Sequence, residues 1–89
     1  MGRIVALVCS AGEFVGEVKN MDGDFVVLRN PRMIIHGEEG LGFARGVCVS
    51  GKENPDSVEF FKSGLIYMTD ANESMEKAFI EATSSIILR

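Results

Sequence analysis

Residues 12–31 read GEFVGEVKNMDGDFVVLRNP, two apolar runs that meet at Asp22-Gly23. An Asp-Gly pair in that position favours the tight hairpin turn in which both central residues take positive φ. In the first run Phe14, Gly16 and Val18 share one side, with Glu13, Val15, Glu17 and Lys19 on the other. The second run, Phe25-Val26-Val27-Leu28, is apolar on both sides, so both of its faces are expected to be covered. Gly16 stands in mid-strand, where it packs nothing and costs backbone entropy. A sharp bend or bulge that curls the sheet is the use such a position has.

On the N-terminal side, residues 4–10 form a continuous apolar run that reads as a buried first strand, and Ser10-Ala11-Gly12 turns it into the hairpin. Beyond Leu28, Pro31 has no N–H to give a ladder, so it belongs at a sheet edge or bulge, with the strand continuing through Met33-Ile34-Ile35 to a turn at residues 37–40. Residues 41–50 alternate bulky odd positions with small even ones. A period of two over ten residues argues for a strand, either the beginning of the fourth or an added one. Residues 51–56 are a polar loop, and 58–61 and 65–69 are strands kinked at Lys62-Ser63-Gly64. Asp70 with Glu73 has the spacing of a capping box, with Asn72 as the alternative cap. Met75, Ala78, Phe79 and Ala82 then give a helical apolar stripe. The apolar tail Ile86-Ile87-Leu88 is expected to dock on its own subunit or on a neighbour. The pattern predicts one mainly β domain over residues 1–89: a strongly bent antiparallel sheet over about 4–69, closing into a small open barrel, and a C-terminal α-helix over about 72–84.

A chain of 89 residues buries a modest core and gains much from oligomerising. Its net charge of −4 argues against a general polyanion binder, which carries a basic face, while leaving room for a small local basic site. Cys9 and Cys48 fall in expected strands without metal-ligand spacing, and read as small buried hydrophobes in a reducing compartment. The apolar run after Arg3 is too short for a secretory leader, and no stretch approaches the length of a membrane span. A soluble, cytoplasmic protein without a membrane partner is expected.

Two segments resemble the signatures of the Sm-like proteins, which include Sm, Lsm and bacterial Hfq. Residues 4–32 carry the first, with its apolar-x-Gly-x-apolar strand, Asp-containing turn, apolar run and Asn. The segment VEFFKSGLIY, residues 58–67, is similar to the second, in which a strand ends in a basic residue and Gly and a short apolar strand follows. The chain departs from the family in lacking a helix before the first strand, in ending with one, and in its long stretch between the signatures. The arrangement also resembles short Sm-like proteins of marine tailed phages. The resemblance implies a five-stranded sheet and a homo-oligomeric ring, a hexamer or heptamer, built by edge pairing. Val58, Phe60, Leu65, Ile66 and Tyr67 would form the subunit interface.

No catalytic constellation emerges. The segment GVCVSGK (residues 46–52) has phosphate-loop spacing, but Glu53 stands where a magnesium-binding hydroxyl is needed and Asn54-Pro55 prevents a helix start. His36, the single histidine, reads as a surface or hairpin-end residue. No enzyme activity, cofactor or metal is expected. In the Sm-like family single-stranded RNA is held at the loop after the second strand and at the basic-Gly loop. Carried over, these become residues 21–25, with Asp22, and Lys62-Ser63-Gly64; Lys62 and Gly64 fit the pattern. The base-reading Asn of the family falls on Val26, the stacking Phe of Hfq on Asp24, and the His beside its Lys on Ser63. An extra carboxylate thus replaces a stacking surface, with the wrong sign for phosphate. Arg45 is the next basic candidate, and convergence of Lys62, Arg45 and Arg32 on one pore or face would mark a binding site. Two functions follow as expectations: a ring that binds single-stranded RNA through a degraded site, or an oligomeric assembly or scaffold protein, viral in origin, that binds none.

Overall fold

Gly16 faces a bulge. In the computed structural model, which describes residues 2–87 and side chains as far as residue 84, Val15 pairs with Arg32 but Glu17 pairs with Arg29, so the third strand carries one extra residue opposite Gly16. Asn30 takes up that residue with a φ of 53°. A Cβ on Gly16 would lie 3.0 Å from the Leu28 Cβ and 3.3 Å from the Pro31 Cα, so a side chain there would push both back by a few tenths of an ångström. The expected bend and the placement of Pro31 at a bulge both hold.

Six antiparallel strands form the sheet: β1 (Ile4–Cys9), β2 (Gly12–Asn20), β3 (Phe25–Gly37), β4 (Gly40–Phe43), β5 (Ser57–Phe61) and β6 (Leu65–Asp70). Their order is β4-β3-β2-β1-β6, and β5 pairs with the first half of β3 on the edge that β4 occupies further along. Phe60 from β5 and Leu65 and Met68 from β6 pack on the same cluster as Val5, Leu7, Phe14, Val26 and Leu28. The sheet therefore curls around one interior. It does not close, because β5 and β6 are joined by a short 3-10 turn at Lys62–Gly64 without pairing to each other.

A second cluster covers the opposite face, where Ile4, Val15 and Ile34 meet Phe79 of α1 (Glu73–Ile87). Phe79 is 2% exposed and pins the helix to the sheet. The helix begins one residue after the expected position, and Asn72 supplies the cap: its Oδ1 accepts the Met75 N–H at 2.8 Å. Asp70 belongs instead to β6 and pairs with Arg3 at 2.7 Å. The expected docking of residues 86–88 lies outside the described side chains.

Five sequence expectations are corrected. The sheet has six strands rather than five, because β4 folds back on the end of β3 as a separate hairpin. The strand expected over 41–50 stops at Phe43. Ala44 still donates to the Met33 carbonyl, but beyond it Pro31 has no N–H and Asn30 gives its own to the Asp56 carbonyl, so the ladder has no partner. Cys48 consequently lies exposed on the connection, whereas Cys9 packs against the interior as expected. The β2–β3 reversal is looser than a two-residue turn: Asn20 Oδ1 accepts the Asp22 N–H, and within the turn only Gly23 has positive φ. Finally, the outer side of β3 is not fully covered, since Phe25 and Val27 stay half-buried while Val26 and Leu28 are 2% and 0% exposed. Among the described residues no helix is long and apolar enough to cross a membrane.

Candidate functional site

The β2–β3 loop (residues 21–24) and the 3-10 turn after β5 are far apart in sequence, but the β3–β5 ladder brings them together. Phe25 pairs with Phe61, so the residues just outside that pair must meet. Lys62 donates its backbone N–H to the Asp24 carbonyl at 2.9 Å and its Nζ to the Met21 carbonyl at 2.5 Å. Lys62 is thus a tie between the two loops, with two of its three ammonium donors left for another acceptor. Asp22 and Asp24 flank it, both exposed. The β2–β3 loop and the Lys62–Gly64 turn thus form one surface.

Gly64 ends the 3-10 turn with no atom within 4 Å of where its Cβ would stand. Its own chain places no steric demand on it. Arg45 is not part of this surface: it lies on the connection after β4, where its guanidinium faces Glu53 at 4.0 Å and its carbonyl accepts the Asn54 N–H. Arg32 is buried at 5% exposure, with Nη1 donating to the Asn30 and Pro31 carbonyls at 3.2 and 3.1 Å. Burial lowers its pKa by opposing the charged form. The three cations are held by three different sets of partners and do not gather on one face.

The strands either side of Lys62 present their side chains differently. Val58 and Phe60 turn inward, with the Phe60 ring edge-on to Phe14 at 5.1 Å, so at this edge only the β5 backbone is free to pair. On β6, Leu65 packs on the interior, while Ile66 and Tyr67 are 64% and 58% exposed. Where the sheet fails to close, Cys9, Phe14, Val47, Phe60 and Leu65 line a cleft of about 330 Å³.

Sequence reasoning missed the aromatic pair at the rim of this surface. Phe25 and Phe61 stand 4.9 Å apart with ring planes tilted by 44°, and Phe61 is 63% exposed. The signal was present in the alternation of residues 58–61, which sends Phe61 outward once Phe60 points in. Among the described residues no cluster of His, Cys, Asp or Glu is arranged to hold a metal. Comparison with family models, with curated proteins and with solved structures returned no match for the chain.

Proposed function

We propose that the chain is a cytoplasmic ring-forming protein of the Sm-like type, with the β5 edge of one subunit pairing to the β6 edge of the next. The observation that carries this reading is the path β5-β3-β2-β1-β6: its two end strands each leave one backbone edge unpaired within the subunit. An unpaired strand edge beside exposed apolar side chains such as Ile66 and Tyr67 invites aggregation unless another chain pairs with it. Head-to-tail pairing that closes satisfies the β5 and β6 edges at once, and a hexamer or heptamer is the expected size. Ile66→Lys places a charge on that edge and dissociates the ring.

The joined loops are the RNA-facing surface of this ring in the proposed reading, and Lys62 supplies its phosphate contact. Closure repeats Lys62 around the pore, but it also repeats Asp22 and Asp24, so binding is weak and falls with salt as phosphate contacts are lost. Anisotropy titrations of oligo(U) and oligo(A) at low and physiological salt, with Lys62→Ala beside the parent, test the site. Loss of most low-salt binding in Lys62→Ala is the expected result, and unchanged binding would move the site away from this loop. The carboxylates and the net charge of −4 favour a second reading, in which the ring is an assembly or scaffold component of viral origin without RNA. Absence of binding even at low salt selects it.

A further inference from the structure

Phe61 lies on the outer side of the β3–β5 ladder, where the cover expected over β3 is missing. It is 63% exposed, and its ring is braced from behind by Phe25 at 4.9 Å. The strand register fixes both, because Phe25 and Phe61 are directly paired residues. Lys62, the next residue, is anchored by its backbone to Asp24 and by its ammonium to Met21. A planar apolar surface thus sits one residue from a cation with spare donors. That pairing serves single-stranded nucleic acid, whose bases stack on aromatic rings irrespective of sequence while a cation meets the backbone.

We propose that the exposed ring of Phe61, braced by Phe25, is a stacking surface for a base of single-stranded RNA. This rests on the RNA reading above and supplies what the carboxylate of Asp24 does not. Stacking carries no net charge, so its contribution stays when salt removes the phosphate term. The two residues therefore leave different marks on a titration: Lys62 sets the salt slope, and Phe61 sets the affinity at every salt.

The test uses oligo(U) and oligo(A) anisotropy over a salt series with the parent, Phe61→Leu, Phe61→Trp and Lys62→Ala, each checked for assembly by light scattering. Phe61→Leu keeps apolar volume and removes the π face, so it is expected to weaken binding roughly tenfold at each salt without changing the slope. Lys62→Ala is expected to flatten the slope instead. The chain has no native tryptophan, so Phe61→Trp reports contact directly, and its fluorescence is expected to be quenched by the oligonucleotide. Parent binding with Phe61→Leu unaffected and Phe61→Trp unquenched would overturn the stacking surface while leaving RNA binding intact. No parent binding at low salt would overturn both. A tryptophan signal perturbed by an oligoarginine peptide but not by RNA would assign the surface to a basic protein partner and overturn the proposal.

Discussion

Gly16 shows how one missing side chain sets the curvature of the sheet. The space a Cβ would need is held by Leu28 and, at 3.3 Å, by the backbone of Pro31 at the bulge. A side-chain tip could move away, but that backbone is fixed by the pairings on either side of it. Gly16→Ala is therefore expected to lower stability by about 1–3 kcal/mol, the usual cost of overpacking, measured by urea unfolding. Gly64 is the contrasting case. Open space surrounds its missing Cβ, so Gly64→Ala is expected to stay within about 0.5 kcal/mol of the parent. A loss as large as that of Gly16→Ala would show that Gly64 packs against something outside its own chain. The role of Gly16 was legible in the sequence because a mid-strand glycine between apolar residues needs a reason. The turn at Asp22-Gly23 was read too tightly, since the dipeptide does not disclose that the Asn20 side chain captures the Asp22 N–H.

Helix α1 and strand β4 owe their limits to particular hydrogen bonds. Two caps competed for the helix, and the outcome follows from Asp70 being claimed by β6 and by Arg3. Asn72→Ala should cost about 1 kcal/mol through the lost Met75 N–H contact. Asp70→Ala removes only an exposed ion pair, whose two side chains are 51% and 73% accessible, and should cost well under about 1 kcal/mol. Thermal unfolding followed at a helix-sensitive wavelength checks both, and the reverse order of effects would reinstate Asp70 as the cap. Apolar runs, periodicity and turn residues together were enough to find this helix and five of the strands. It overran β4 because residues 41–50 keep alternating after Phe43, whereas the ladder ends where β3 runs out of free N–H groups. A period of two reports what a segment prefers, and the partner decides where pairing stops. The same limit hid the aromatic pair: Phe25 and Phe61 were visible as residues, but their contact exists only through the β3–β5 register.

The molecule taken whole is a curled sheet that stops short of closing. Its interior is filled from both ends of the sheet, by Phe60 from β5 and by Leu65 and Met68 from β6. The two end strands are covalent neighbours across the Lys62–Gly64 turn, yet each turns an edge outward. That geometry suits head-to-tail pairing with another copy better than it suits an isolated subunit, and the proposed RNA surface gains its several lysines only by such pairing. The site was legible in the sequence as two loops and a lysine, and a ring built by edge pairing was expected from the resemblance; the folded sheet adds that β5 and β6 each keep one edge unpaired within the subunit. Light scattering after size exclusion, at micromolar concentration of the unaltered chain, measures the assembly itself. The expected result is one closed species of six or seven copies of the 9.7 kDa chain. A monodisperse monomer would contradict the ring and with it the account of both edges.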